Sequence, residues 1–184
     1  MKPNTIVLVL FIALAAFGLG FLLNKPTNND DISYPALLNA RLLESIDSDA
    51  AETQTTSIKD KLDKLTLVNF WATWCAPCRH EMPMFESVFQ RSQASENGFT
   101  IIGVTIDSVE KAVPMLNSMG ITYPIVFAEN TGMDLMAVVG NAQGLLPYSL
   151  LLNDKGQVLE QKYGRLSEND IDEWLAKYLE QLNQ

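Results

Sequence analysis

Residues 66–83 read TLVNFWATWCAPCRHEMP, and this stretch changes from one structural pattern to another partway along. Its first part, TLVNFW, is apolar and β-rich, which is typical of a strand buried on both faces of a sheet. From about Cys75 to about Ser95 the apolar residues follow helical spacing. A CxxC pair at a junction between a buried strand and a helix is a strong indication of redox chemistry.

The two cysteines have different predicted roles. Cys75 stands at the amino terminus of the predicted helix, where unpaired backbone N–H groups and the helix dipole stabilise a thiolate. Because the thiolate is the attacking species, Cys75 is the expected nucleophile. Cys78 lies one turn further on, shielded by the helix, and would resolve the mixed disulfide. The alternative is that both are buried, reduced cysteines with a structural use only.

Composition excludes other common uses of cysteine. The chain has 184 residues, with two cysteines and one histidine. A structural disulfide framework needs more cysteines, and a zinc site with four Cys/His ligands cannot be assembled from this set, so no metal site is expected. The net charge is −9 and no Lys/Arg cluster is present. Nucleic-acid binding, which needs a focused positive patch, is therefore excluded.

The rest of the chain alternates strand and helix patterns. The region 34–65 predicts only a peripheral strand or two, a loop and a short helical turn at 57–62. Ser108 is expected to cap its helix, and residues 167–170 form a capping box for the last helix. We expect an α/β sandwich with a central mixed sheet. Its further strands are predicted at 99–106, 125–128, 148–152 and 157–163, and its further helices at 108–119, at 133–139 and after 167.

The amino-terminal segment has a separate character. Residues 6–23, IVLVLFIALAAFGLGFLL, carry no charge and are just long enough to cross a bilayer as a helix. We expect one transmembrane helix in an uncleaved anchor at 1–24, a polar linker at 25–33 and a single domain at 34–184. A cleaved signal peptide and a buried soluble helix are the alternatives.

The charges that flank this segment predict its orientation. Lys2 precedes it, while Lys25 is soon followed by Asp30 and Asp31. The positive-inside bias therefore favours an amino terminus in the cytoplasm. The domain would then lie on the periplasmic, extracytoplasmic side of a bacterial inner membrane.

The motif WCAPCRHEMP at 74–83 resembles the thioredoxin superfamily, and more narrowly the WCxPCxxExP motif of membrane-anchored TlpA/ResA-type thiol-disulfide reductases. The resemblance covers about 34–184 and is clearest at 67–83 and 144–156. It implies a thioredoxin-like fold, no bound cofactor and a reducing role outside the cytoplasmic membrane. Protein disulfides are the expected substrates, and a membrane protein is the expected electron donor.

Glu81 is a candidate catalytic residue. At 100° per residue it falls on an otherwise apolar helix face, together with Cys78, Met82, Phe85, Val88 and Phe89. Partial burial would raise the pKa of its carboxyl group, which could then accept the proton of Cys78. The family resemblance implies the same role. The buried Asp of thioredoxin corresponds here to Asn69, which cannot accept a proton in that way. The alternative is a solvated helix residue.

Substrate binding is predicted at Trp74, Leu146 and Pro147. In thioredoxin-like folds a cis-proline begins the strand that faces the CxxC pair, and Leu146–Pro147 before 148–152 is the match. A cis bond there would free the backbone of Leu146 to pair with a substrate strand. The alternative is an ordinary trans proline at the start of a strand.

Three rival functions share parts of this pattern. A thiol peroxidase needs Thr or Ser three residues before its cysteine, where this chain has Ala72. A copper-binding module could use soft ligands, but two of the five candidates point away from Cys78 on the helix. These candidates are Cys75, Cys78, His80, Met82 and Met84. Cytochrome-maturation reductases of the DsbE/CcmG type carry GVxGxPE, whereas residues 140–148 read GNAQGLLPY and lack that Glu.

The direction of electron flow is also predicted. Ala76–Pro77 lacks the His beside the second cysteine that strongly oxidising relatives use to stabilise their thiolate. A less stabilised thiolate makes a better reductant. The sequence therefore favours a reductant over an oxidant.

Overall fold

The computed structural model describes residues 34–45, 53–95 and 97–182. Within these ranges no helix is both long and apolar enough to cross a bilayer. The predicted anchor at 1–24 and the predicted linker at 25–33 lie outside the described residues, so they stay predictions.

The described residues form a seven-stranded mixed sheet with the strand order β2-β1-β5-β4-β3-β6-β7. The central strands β3, β4 and β5 are parallel, and the remaining pairs are antiparallel. The strands are β1 (Leu42–Ser45), β2 (Thr53–Thr56), β3 (Leu65–Trp71), β4 (Phe99–Thr105), β5 (Ile125–Phe127), β6 (Tyr148–Asn153) and β7 (Val158–Tyr163). The helices are α1 (Pro35–Leu38), α2 (Ala76–Ser95), α3 (Val109–Met119), α4 (Gly132–Val138) and α5 (Glu168–Leu182), with 3-10 turns at Ile58–Lys61 and Glu129–Thr131.

Strand β3 is the centre of the fold. It pairs in parallel with β4 and antiparallel with β6, and every one of its residues is buried. Burial on both faces explains why TLVNFW lacks the polar alternation of a half-exposed strand. The strand ends at Trp71, so the CxxC pair begins where the sheet stops.

Helices cover both faces of the sheet, and each face has its own apolar core. The α2 face is packed by α2, α3 and α5, and it contains Cys75, Cys78, Phe85, Phe99 and Ile171 among others. The α4 face is packed by α1 and α4, and it contains Val68, Phe70, Val104, Met136 and Leu150 among others. Because side chains alternate along a strand, β3 contributes to both cores.

Most predicted elements are confirmed, and their ends differ by one or two residues. The capping box is present: Asp170 N–H donates to Ser167 Oγ at 3.2 Å, and Ser167 N–H donates to Asp170 Oδ2 at 2.7 Å. The predicted cap at Ser108 is wrong in one respect. Ser108 precedes α3, but its side chain accepts no capping hydrogen bond. The short helix α1 was not predicted.

Candidate active site

Cys75 and Cys78 form a disulfide at the junction of β3 and α2. Helix α2 begins at Ala76, so Cys75 immediately precedes its first turn. Cys78 N–H donates to Cys75 Sγ at 3.3 Å. Cys75 keeps 5% of its surface exposed, whereas Cys78 is fully buried. A partner thiol or disulfide can therefore reach the pair only through Cys75.

Asp107 holds the turn that leads to Cys75. Thr73 N–H donates to Asp107 Oδ2 at 2.6 Å, and Cys75 N–H donates to Ala72 O at 3.1 Å. Asp107 lies just beyond the end of β4 and is almost completely buried. Asp107 was not predicted from the sequence. The sequence pattern that could have identified it is an acidic residue directly after a buried parallel strand. That position lies at the edge of the sheet where β3 also ends.

Glu81 is buried, with 1% of its surface exposed, on the same side of α2 as Cys78. Both carboxylate oxygens accept hydrogen bonds at 3.0 Å, Oε1 from Asn69 Nδ2 and Oε2 from Leu166 N–H. Burial raises the pKa of Glu81 to about 7, although these two hydrogen bonds and the positive charges of Arg165 and Lys162 act to lower it. The prediction that Glu81 faces the core is confirmed.

A carboxyl group with a pKa near 7 can gain or lose a proton under neutral conditions. Glu81 lies one helical turn after Cys78, and both side chains are buried on the same side of α2, away from bulk water. Its environment is therefore that of a general acid–base group. Its role in catalysis stays a prediction.

The Leu146–Pro147 peptide bond is cis, as predicted. The register places Tyr148, the next residue, opposite Phe70 near the end of β3. Pro147 therefore lies at the end of the sheet that carries the CxxC pair. Leu146 is half-buried, and Trp74 is one of the most exposed large side chains described, at 67%. Substrate binding by these three residues stays a prediction.

The side chains proposed for the rival copper site are divided between surface and core. His80 is exposed on α2, whereas Met82 is fully buried. Within the described ranges, no group of three or more His, Cys, Asp and Glu side chains could hold a metal ion. Ala72, where a peroxidase would have Thr or Ser, is fully buried.

The site and the fold can be compared with known proteins. The Redoxin family model matches residues 37–175. The chain is 32% identical over 127 residues to the thiol-disulfide oxidoreductase ResA of Bacillus thuringiensis strain Al Hakam, covering 68% of this chain and 70% of that protein. It is 28% identical over 122 residues to the thioredoxin-like protein YneN of Bacillus subtilis strain 168, covering 66% of this chain and 69% of YneN.

Two solved structures support the same relationship. StoA from Bacillus subtilis superposes with a TM-score of 0.57 at 26% identity, covering 76% of this chain and 98% of StoA. A thioredoxin-family thiol:disulfide interchange protein from Chlorobium tepidum TLS superposes with a TM-score of 0.61 at 25% identity, covering 82% of this chain and 99% of that one.

Proposed function

The chain belongs to the Redoxin family, as a thiol-disulfide oxidoreductase of the TlpA/ResA type, and on this premise we propose that it reduces protein disulfides on the outer side of a bacterial cytoplasmic membrane. The observation that carries the proposal is the unequal burial of the two cysteines above a buried carboxyl group. Cys75 retains some exposure, Cys78 has none, and Glu81 lies one turn beyond Cys78.

The reaction begins with the reduced protein. The Cys75 thiolate attacks one sulfur of the partner's disulfide, forming a mixed disulfide and releasing one partner thiolate, which takes up a proton. Cys78 then transfers its proton to Glu81 and attacks the Cys75 sulfur. This step forms the Cys75–Cys78 disulfide and releases the second partner thiolate. Two electrons have moved from the Cys75–Cys78 dithiol to the partner.

The cycle needs a donor that returns two electrons to the disulfide. We assign this task to a dithiol protein of the membrane, since the apolar run at 6–23 would hold the domain beside the bilayer. The linker at 25–33 would connect this anchor to the domain at 34–184. Trp74, Leu146 and Pro147 are the proposed contacts for the partner protein.

The reduction potential tests the direction of electron flow. Equilibration of the purified protein with glutathione should give a value near or below roughly −230 mV, in the range of reducing members of the superfamily. A value near roughly −120 mV is that of a strong oxidant and would overturn the reductase assignment.

Topology is tested in living cells. A reporter that is active only outside the cytoplasm should be active when fused after Gln184, and the protein should stay with membranes after a high-salt wash. Release of a shortened, soluble protein would instead identify residues 6–23 as part of a signal peptide.

The Glu81→Gln variant tests the proton acceptor. Glutamine preserves size and helix propensity but cannot accept the Cys78 proton, so disulfide reduction at neutral pH should slow by up to ~10²-fold. Glu180→Gln, at an exposed position on α5, is the matched control and should reduce at the parent rate. If Glu81→Gln folds and reduces a model disulfide as fast as the control, Glu81 is not the proton acceptor.

A further inference from the structure

Asn69 and Ser149 are neighbouring polar residues on the α2 face of the sheet, beneath Glu81. The strand register pairs Asn69 of β3 with Ser149 of β6 on one side and with Gly103 of β4 on the other. Asn69 and Ser149 are both fully buried. Burying an amide and a hydroxyl side by side is unfavourable unless they are hydrogen-bonded. The hydrogen bonds of these two side chains therefore indicate their role in the core.

Both N–H donors of the Asn69 side chain are engaged. Asn69 Nδ2 donates to Glu81 Oε1 at 3.0 Å and to Ser149 Oγ at 2.9 Å. By contrast, Asn69 Oδ1 is buried and has no hydrogen-bond partner among the described residues. An amide that served the core alone would be expected to use its oxygen, since a buried polar atom without a partner is destabilising. The contacts of this amide are instead concentrated on its donor side, toward Glu81.

We infer that Asn69, held in orientation by Ser149, is a positioning residue that favours the ionised form of Glu81, which is the form able to accept a proton. The importance of this for catalysis rests on the proposed role of Glu81 in the reaction. The inference itself concerns the ionisation of Glu81 and can be tested apart from turnover.

The physical reason is the polarity of the contact. An N–H donor stabilises a carboxylate more than it stabilises the neutral acid. Leu166 N–H, the other donor to Glu81 among the described residues, acts in the same direction, as do the positive charges of Arg165 and Lys162. These groups oppose the burial that favours the neutral acid. Removing the Asn69 donor shifts this balance toward the protonated form.

The other groups facing Glu81 do not replace Asn69. The Tyr123 hydroxyl is buried without a partner among the described residues, and burial raises its pKa further above its ordinary value, so it stays neutral at neutral pH. Cys75 and Cys78 do not titrate while they form a disulfide. The oxidised protein therefore gives a clean measurement of Glu81.

The first experiment uses Asn69→Leu, which removes the amide donor but keeps a side chain of similar size. The Glu81 carboxyl carbon is followed by ¹³C NMR against pH in the oxidised protein. We expect its titration midpoint to move upward by roughly one pH unit, the effect of losing one hydrogen bond to a charged group. The pH–rate profile for disulfide reduction should move in the same direction, so that the variant slows at pH 7 and recovers at higher pH.

Thr66→Val is the matched control. Thr66 is a buried residue on the same strand, three residues before Asn69. Its hydroxyl accepts a hydrogen bond from Asp63 N–H at 3.0 Å and, among the described residues, makes no hydrogen bond with Glu81. This variant also loses a buried polar contact. It should leave the Glu81 titration and the pH–rate profile unchanged.

A second variant covers the case in which Asn69→Leu does not fold. Ser149→Ala removes only the hydroxyl that fixes the amide, and it should shift the Glu81 midpoint in the same direction by a smaller amount. If the folded variants titrate Glu81 at the parent midpoint, the inference is overturned. If the midpoint shifts while the pH–rate profile stays in place, Asn69 does control Glu81 and the catalytic role proposed for Glu81 is wrong.

Discussion

The two faces of the sheet are built from the same strands but have different interiors. On the α4 face the strands present Val68, Phe70 and Leu150, and the helices that cover them add apolar side chains. On the α2 face the same strands present Asn69 and Ser149, and α2 adds the disulfide and a buried carboxyl group. Both faces have an apolar core, but the α2 face also holds the groups that can exchange protons and electrons.

The difference shows how a protein interior can bury reactive polar groups and still remain folded. Each strand alternates its side chains between the faces, so β3 is anchored by Val68 and Phe70 while Asn69 serves the other side. Apolar burial on both faces therefore stabilises a fold in which the α2 face also buries polar groups. This division can be tested by perturbing each face separately.

The largest expected effect is on the α2 face, at the cysteines. Cys78→Ser should accumulate partner proteins on Cys75 as mixed disulfides, because no thiol remains to resolve them. Cys75→Ser should trap far fewer partners, since the remaining sulfur is fully buried. Non-reducing gels of the two variants provide the measurement. Equal trapping would show that burial does not assign the two roles.

A matched pair of leucine-to-alanine substitutions on β6 compares the two faces directly. Leu150 packs on the α4 face and Leu151 on the α2 face, and both are buried. Replacement of either by Ala should lower the free energy of unfolding by roughly 2–5 kcal/mol, measured in urea. Only Leu151→Ala should also change the rate of disulfide reduction per folded molecule. A rate change of the same size in Leu150→Ala would show that the faces are not separate.

The stability of the α2 face should depend on pH through Glu81. Because burial raises the pKa of this group from 4.5 to about 7, the folded protein binds a proton more tightly than the unfolded chain, and stability falls as pH rises across that interval. Glu81→Gln lacks this dependence. Between pH 5 and pH 8 the variant should gain on the parent protein by up to about 3 kcal/mol in free energy of unfolding. Urea titrations of the oxidised proteins at both pH values should reveal the gain, and a constant difference would contradict it.

The smallest expected effect concerns the turn before Cys75. Asp107→Asn replaces the charged acceptor of Thr73 N–H by a neutral one, which should destabilise the protein by about 1 kcal/mol, measured by thermal unfolding. The titration midpoint of Glu81 should stay in place, because the contacts of Glu81 are made by other residues. A shift of that midpoint would mean that Asp107 and Glu81 belong to one network.

Much of this architecture could be predicted from local sequence. The buried character of β3 follows from TLVNFW, and the buried face of α2 follows from the spacing of Cys78, Glu81 and Phe85. Short elements such as α1 and β2 have only four residues each and carry no comparable periodic signal. Their positions depend on the neighbours they pair with or pack against.

The polar partners of the site could not be predicted in the same way. Ser149 lies 80 residues from Asn69 and Leu166 lies 85 residues from Glu81 along the chain, and each contact depends on the final packing. Every residue except proline has a backbone N–H, so the residue type at position 166 does not indicate that this group donates to Glu81. Asn69 was recognised as a substitution for an aspartate, but its role as a donor required the register of β3 and β6.

The central position of β3 has a consequence for the order in which the protein is made. Cys75 and Cys78, which follow β3, leave the ribosome well before β6 and Leu166, which complete the surroundings of Glu81. Until that later segment has emerged, α2 has no completed sheet to pack against, and the thiols of the nascent chain lack the shelter that distinguishes Cys75 from Cys78. Selective chemistry therefore begins only once the carboxyl-terminal hairpin and helix α5 have joined the domain.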